Sequence, residues 1–484
     1  MKKGSITVFF ALVLSIVIVL IGMCIESVKI MCARTQIANS ADVGMYSLFA
    51  QYDSYLLKRY NLFYIDASYG ADSLRLSKAY RTVEEYMEPI LNQNYLDLSI
   101  VSGGVTGFVL ATDCNGQPFR DQAVAYMRGM PGSQGIHFLV NAMLKNAQEI
   151  EKGQEMRQWM QVENIMEKYE REIAWAGNEG AQAELYLQDM EIADRPNIAV
   201  ENPIDIMREA QKRDILELVI SGFAELSNRE INIERLVSHR NLQQGMGALC
   251  PATSESEIMD KALFQEYIMY NCGTYAAPSS GNGLRYQVEY ILGKSSNDKD
   301  NLKKVTEQLM AIREGINMAF LYTDPEKREQ SLELARAIAD SFLVPPEESV
   351  IEEALLLCWA FGESVWDVKT LLDGGRVSLL KTPQNWNLPL QDVPRFLQEI
   401  SMEQFVGADQ GMNYADYLRA LLFLELEDSK VMGVMDMIEA DIQSQQGRDN
   451  FRMDCCLESM EVEVDVRVNQ FKTYTVQHQY GYNF

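Results

Sequence analysis

An uncharged apolar run near the N-terminus constrains this chain more than any other feature. It extends from Ile6 to Ile25 and directly follows Lys2 and Lys3. A helix rises about 1.5 Å per residue, so the run spans about 30 Å, the thickness of the hydrocarbon layer of a bilayer. We therefore predict a transmembrane helix. The predicted span is marked by Ile6, Phe9, Leu14, Leu20 and Ile25.

Two other interpretations of this N-terminus fit less well. A cleaved secretory signal has a shorter apolar core followed by small residues, and no Ala-x-Ala site follows this run. A lipoprotein signal has a small residue before the lipidated cysteine, whereas Met23 precedes Cys24. The lysines at the short end favour a cytoplasmic N-terminus. We predict a single-pass protein of the cell membrane with an extracellular C-terminal domain.

Beyond the apolar run, the pattern changes to that of an amphipathic helix. From Glu26 to about Tyr60, apolar residues recur with helical spacing on one face. The first proline is Pro89, so no residue forces a break before it. The sequence thus predicts one continuous stem helix over residues 6–60. The residues expected to pack this stem on a domain are Ala38, Ala41, Met45, Leu48 and Tyr52.

Length, charge and cysteine content narrow the class of protein. A chain of 484 residues is too long for one core, so we expect two folding units besides the anchor. The net charge of -26 repels phosphates and argues against nucleic acid as a partner. Eight cysteines are too few for a disulfide framework, and we expect mostly buried thiols. The bridge to test first joins Cys114 to Cys455 or Cys456, because these positions flank strand-like segments.

Two strand-like regions, 61–112 and 458–484, enclose a long helical one. Residues 461–468 alternate four valines with four charged residues, the pattern of a half-buried strand. The predicted fold class is α+β, mostly α, with a long N-terminal helix packed on a small antiparallel sheet and a large all-helical insertion. The predicted domains are 1–25 (leader-like tip and transmembrane helix), 26–117 (stem helix and first part of a small α+β unit), 118–454 (helical domain) and 455–484 (a C-terminal β-hairpin completing the sheet).

This arrangement resembles the type IV pilins and pseudopilins, in which a long N-terminal helix packs on a small sheet. The start of the chain looks like a prepilin leader, which implies processing between Gly4 and Ser5. The segments at 10–14 and 36–42 are similar to the anchors of Tad-type pseudopilins. Those proteins usually carry glutamate at the fifth mature position, where this chain has Phe9.

The remainder of the chain resembles a family of uncharacterised, membrane-anchored surface proteins of Gram-positive bacteria, a domain of unknown function associated with such pilus-like systems. The resemblance covers nearly the whole chain and implies no known activity. The stretches that carry it are 61–66, 202–207, 286–294, 301–304, 312–318, 358–367 and 414–419.

Motifs for catalysis or cofactor binding are not found. The three histidines are scattered and form no HExxH pattern, which argues against a zinc hydrolase. Ser-x-x-Lys occurs at Ser296 and Ser378, but the Lys-Thr-Gly and Ser-Asp-Asn motifs of penicillin-binding enzymes are missing. The sequence therefore predicts no catalytic residues, no metal site, no cofactor and no enzymatic activity.

The sequence thus favours a surface-exposed structural or interaction protein, an accessory or minor pseudopilin-like component of a type IV pilus or Tad-like assembly. The expected partners are the lipid bilayer and other assembly proteins, contacted through the N-terminal helix. One alternative is a permanently tethered binding module that is not processed as a pilin. A further alternative is an extracellular hydrolase.

Overall fold

The computed structural model describes residues 3–93, 96, 98–130, 136–188, 203–220, 225–247, 257–399, 411–469 and 472–482. It is an α+β fold, mostly helical, with a long N-terminal helix and a small antiparallel sheet, as the sequence predicts. The chain forms two compact units. The sheet unit comprises Met1–Gly129, Glu234–Glu255 and Val434–Phe484, and the helical unit comprises Met130–Ile233 and Ser256–Gly433.

The sheet unit is built from the two ends of the chain. Its N-terminal elements are α1 (Lys3–Phe49), α2 (Ser54–Tyr60), β1 (Ile65–Asp66), α3 (Leu76–Leu91), β2 (Ser99–Leu110) and α4 (Asp113–Gly129). Its C-terminal strands are β3 (Cys456–Asn469) and β4 (Lys472–Gly481). The turn of the predicted C-terminal β-hairpin includes residues outside the described ranges.

The stem helix is shorter than predicted, because α1 ends at Phe49 and not at Tyr60. The carboxylate of Asp53 accepts hydrogen bonds from the N–H groups of Tyr55 and Leu56, at 2.8 and 3.0 Å, and so begins α2. The Asp53 N–H donates to the carbonyl of Tyr64 at 2.7 Å. An N-cap and a tertiary hydrogen bond therefore end the helix without a proline.

All strand pairs of the sheet are antiparallel, and β3 is its central strand. β2 pairs with one edge of β3 along most of its length. β4 pairs with the other edge from Ser459 to Asn469, and the two-residue β1 pairs beside it at Cys456 and Leu457. The two ends of the chain thus form one sheet, in which β2 and β4 are the outer strands.

The core of the sheet unit is apolar and lies between α1, α3 and one face of the sheet. From β3 it contains Met460, Val462, Val464 and Val466, all fully buried. The alternation seen in the sequence therefore separates a core face from a polar face. From α3 the core contains Val83 and Met87.

The predicted disulfide is wrong in its partner. Cys114 is disulfide-bonded, but Cys455 and Cys456 are buried free thiols. Burial raises the pKa of Cys455 to about 12, so this thiol is a poor nucleophile. Cys250 lies outside the described residues.

The helical unit consists mainly of helices joined by loops. Asp324 caps the helix that begins at Pro325, by accepting a hydrogen bond from Lys327 N, and Asn413 and Asp416 form a capping box on the helix that begins at Tyr414. The helix Glu348–Leu372 is buried over most of its length. The helices are α5 (Ile136–Met160), α6 (Val162–Gln188), α7 (Pro203–Gln211), α8 (Ile215–Val219), α9 (Glu257–Asn271), α10 (Gln287–Gly293), α11 (Asp298–Thr323), α12 (Pro325–Asp340), α13 (Glu348–Leu372), α14 (Val393–Gln398), α15 (Tyr414–Leu424) and α16 (Glu427–Gln443), which continues into the sheet unit.

Candidate functional site

The first half of α1 exposes its apolar surface on every side. From Ile6 to Lys29, each side chain is exposed. An 18-residue window of this helix has a mean hydropathy of 3.2 and none of it is buried. A helix that is apolar all round needs an apolar environment. By length and composition this helix can cross a membrane, as an anchor or a signal sequence would.

The second half of the same helix belongs to the core of the sheet unit. A stripe of side chains with helical spacing is fully buried there, and Gly44 lets α3 approach closely. A Cβ added to Gly44 would lie 2.9 Å from Met87 Cγ and 3.0 Å from the Val83 carbonyl oxygen. The buried stripe consists of Ala33, Ile37, Ala41, Met45 and Leu48.

Two of the predicted packing residues do not lie in this stripe. Ala38 is exposed, and Ile37 takes the buried position instead. Both lie within one turn of Ala41, so spacing alone does not distinguish them, although they are about 100° apart around the helix. Tyr52 follows the end of α1 and packs edge-on against Phe63, with ring centroids 5.4 Å apart.

Polar and aromatic contacts fix α1 along β4. The Arg34 guanidinium lies over the ring of Tyr474, 5.2 Å from its centroid. Further along, His478 Nε2 lies 3.2 Å from Asp42 Oδ1. At the end of the helix, Tyr482 donates a hydrogen bond to the Phe49 carbonyl at 2.5 Å. The helix and the strand therefore run side by side in the same direction.

A second face of α1 remains uncovered in the sheet unit. Val28, Met31, Val43 and Tyr46 on this face are exposed, and Tyr46 retains 63% of its accessible surface. These side chains extend the exposed apolar surface of the first half of α1 along one face of its second half. The predicted processing residues Gly4 and Ser5 belong to the first turn of α1, and the cleavage itself stays a prediction.

The helical unit contains a buried charge network that the sequence did not reveal. Arg313 donates to Asp367 Oδ2 from Nε and Nη2, at 3.0 and 2.8 Å. Lys381 Nζ lies 2.8 Å from Asp367 Oδ1 and also pairs with Glu363. The two cations balance the two carboxylates. Burial alone would raise the pKa of Asp367, but the charges of Arg313 and Lys381 outweigh it and hold this pKa below its usual range.

Hydrogen bonds satisfy further donors of this network, which indicates that it stabilises the fold. Arg313 Nη1 donates to Tyr417 Oη and to the carbonyls of Ser378 and Leu379. The Ser-x-x-Lys motif at Ser378 thus places its lysine in an ion-pair network. Among the residues that the structure describes, no group of three His, Cys, Asp or Glu side chains is arranged to hold a metal ion.

Glu289 is a buried carboxyl group that forms no ion pair within the described residues. Its Oε1 accepts hydrogen bonds from the Tyr275 N–H at 2.7 Å and from the Tyr414 hydroxyl at 2.8 Å. Its Oε2 is buried and has no partner within the described residues. Burial raises the pKa of Glu289 to about 7. The buried site therefore favours the neutral form of this carboxyl group more than water does.

The fold and the exposed helix together define a class of protein: a mostly helical α+β chain with a long N-terminal helix that can cross a membrane. Residues 194–468 match a family of unknown function, DUF5702. The match covers more than half of the chain, which therefore belongs to this family. No curated protein and no solved structure matches the chain.

Proposed function

We propose that this protein is a membrane-anchored, surface-exposed structural or interaction protein. In this proposal it is an accessory or minor pseudopilin-like component of a type IV pilus or Tad-like assembly, in the membrane of a Gram-positive bacterium. Its partners are the lipid bilayer and other assembly proteins, which it contacts through α1. Lys2 and Lys3 hold the N-terminus in the cytoplasm and the C-terminal domain is extracellular.

One observation carries the proposal: a single helix joins an exposed apolar half to a half that is part of a sheet core. A signal sequence that is removed is not expected to share one helix with the core of a folded unit. In α1, Ile6–Ile25 is wholly exposed, whereas Ile37, Ala41 and Met45 are fully buried under the sheet. The same combination is the feature by which the chain resembles pseudopilins.

The exposed residues on the second half of α1 support lateral contacts. Val28 and Met31 are exposed just beyond the apolar half, and Val43 and Tyr46 are exposed near the end of α1. In a bundle of subunits, this face of the helix would contact the helices of neighbouring subunits. Burial of such side chains against a second helix stabilises association by roughly 25 cal/mol per Å². This surface is therefore the proposed contact with other assembly proteins.

A second candidate function is a binding module that stays tethered by an uncleaved helix. Phe9 favours it, because pilin-type subunits that enter a filament usually carry glutamate at that mature position. The two candidates share the anchor and the topology. They differ in whether the mature chain begins at Met1 or at Ser5.

Intact mass of the full chain, co-expressed with a prepilin peptidase, tests the proposal. We expect loss of the segment before Ser5. The matched control is Gly4→Leu, which changes the residue before the cleavage point and should leave the start intact. An intact start in the unmodified chain, with the peptidase active on a known prepilin, would contradict the pilin-like function and favour the tethered module.

A further inference from the structure

The free edge of β4 is the feature that carries a further inference, and it does not depend on processing at Gly4. In the described ladder, Tyr482 N donates to the Glu458 carbonyl at 3.2 Å, and the register continues unbroken from Ser459 opposite Gly481 to Arg467 opposite Thr473. In an antiparallel pair of strands, residue pairs that exchange backbone hydrogen bonds alternate with residue pairs that do not. The backbone N–H and C=O groups of the even-numbered residues of β4 therefore form hydrogen bonds with β3.

The odd-numbered residues of β4 then direct their backbone groups away from the sheet. Within the described ranges, the backbone hydrogen bonds and bridges of β4 engage only the β3 side. Unpaired N–H and C=O groups along an outer strand are a template for another strand. The residues that present them are Thr473, Thr475, Gln477 and Gln479.

The two outer strands of the sheet differ in how they are protected. β2 contains Gly103, Gly104 and Gly107, has several register shifts against β3, and pairs at Phe108 with Met246. Bulges and glycines of this kind hinder the addition of a further strand. Residues 473–481 of β4 contain no Lys, Arg, Asp, Glu or Pro and no bulge. Of these two described strands, β4 is thus the one that is regular enough to accept a further strand.

The polar face beside this edge is acidic. Glu461, Glu463 and Asp465 follow one another on the outer face of β3. Asp465 accepts hydrogen bonds from Thr475 at 2.6 Å and from Ser102 at 2.8 Å, and Glu463 accepts one from Gln477 at 2.6 Å. These donors are neutral and do not cancel the negative charges. Arg467 follows Asp465 on the same face, which leaves two net negative charges along these four residues of β3.

We propose that the β4 edge binds an extended, basic segment of another protein by adding it to the sheet as an outer strand. A strand added to β4 would lie about 9 to 10 Å from β3. Lysine and arginine side chains on its polar face can reach across the short Thr475 towards Asp465 and Glu463. A second copy of this chain is less suited, because it brings the same acidic face and a net charge of -26.

The probe is a fluorescent nine-residue peptide of alternating lysine and threonine, titrated by anisotropy onto the full chain in detergent micelles. The control peptide has the same sequence and charge but carries N-methyl groups on alternate amides, which removes the strand-forming donors. We expect the control to bind at least about tenfold more weakly, since several backbone hydrogen bonds are lost. If the two peptides bind equally well, their positive charge alone explains the binding, and the proposal is overturned.

A variant pair in β4 tests the edge itself. Gln477→Pro removes an outward-facing N–H without taking a donor from the β3 ladder, and proline is tolerated on outer strands. Gln477→Val is the matched control, because it loses the side-chain bond to Glu463 and keeps the N–H. We expect at least about tenfold weaker peptide binding for the proline variant alone.

Light scattering on the same samples decides between a foreign strand and a second copy. We expect the full chain to have the same mass per micelle-bound particle with and without Gln477→Pro. A dimer that this substitution dissociates would overturn the proposal in favour of self-pairing. If the proline variant does not fold, the comparison of the two peptides on the unmodified chain still decides the outcome.

Discussion

Two regions of this protein are stabilised differently: the apolar core between α1, α3 and the sheet, and the surroundings of Arg313 in the helical unit. The sheet unit has an apolar core in which Ile37, Met45 and Val464 pack between helix and sheet. The helical unit buries charges in its core, with Arg313 and Asp367 almost fully enclosed. An apolar core tolerates small losses of volume, whereas a buried ion pair fails when one partner is removed. These two regions should therefore respond differently to substitution and to pH. The sheet unit also buries charges, but outside this apolar core, where Arg240 pairs with Glu439 and Asp454.

The largest effect is expected for Arg313→Met in the helical unit. The substitution keeps much of the side-chain volume but removes one of the two cations that pair with Asp367. It also deprives Tyr417 and two carbonyls of a donor. We expect the free energy of unfolding to fall by about 3–5 kcal/mol. Tryptophan fluorescence in a urea titration measures it. All five tryptophans, Trp159, Trp175, Trp359, Trp366 and Trp386, belong to the helical unit.

The control for that prediction is Arg336→Met. Arg336 forms an ion pair with Glu348 in which both side chains are at least half exposed. Exposed pairs contribute about 0–1 kcal/mol, so this variant should unfold almost as the unmodified chain does. Similar losses for the two variants would mean that the buried network around Arg313 contributes no more to stability than an exposed ion pair does.

A pH effect of intermediate size is expected from Glu289. Its pKa of about 7 in the folded state lies above the ordinary 4.5, so the folded state binds the proton more tightly. Its contribution to the free energy of unfolding is thus fully present below pH 4.5 and is lost as the pH rises through about 7. The total loss is roughly 3 kcal/mol. The groups around it are Tyr275, Tyr286, Asp298 and Tyr414.

Glu289→Gln isolates this effect, because the amide cannot ionise and still accepts the two hydrogen bonds. We expect the difference in unfolding free energy between the variant and the unmodified chain to increase with pH up to about 7 and then level off. The measurement is urea unfolding at a series of pH values. The exposed Glu333→Gln serves as control, and a parallel profile for both variants would refute the assignment.

The smallest effect is expected for Ile37→Val in the sheet unit. Ile37 is fully buried, so removing one methyl group should cost about 1 kcal/mol. Hydrogen exchange of the β3 amides, followed by mass spectrometry, reports on this unit separately. Ile25→Val removes the same group from the exposed half of α1 and should leave that exchange unchanged. Equal effects would break the distinction between the two halves of the helix.

Local patterns revealed much of the sheet unit. Two patterns can be recognised from residues that are close together in the sequence. They are the uncharged run from Ile6 to Ile25 and the alternation of Val462, Val464 and Val466. Helix caps such as Asp324 and Asn413 are local as well. The candidate site on α1 was therefore predicted in position, with Ala41, Met45 and Leu48 in the buried stripe.

The buried charges of the helical unit could not be predicted in the same way. Arg313 and Asp367 are 54 positions apart, and Tyr414 reaches Glu289 across 125 positions. Each of these residues looks like an ordinary polar position of an amphipathic helix. Only packing removes water from them and selects their partners, and this selection produces the raised pKa of Glu289 and the lowered pKa of Asp367.

The sequence by itself determined the class of this protein: a long, partly apolar N-terminal helix, strand-like ends and a helical interior. The tertiary structure decided where the stem ends, at Phe49, which helix face is buried, at Ile37 and not Ala38, and that Cys455 and Cys456 stay as thiols. The physical reason is the distance along the chain between the residues that interact. Periodicity records contacts between near neighbours, whereas caps, pairings and strand edges depend on groups that only the folded chain brings together.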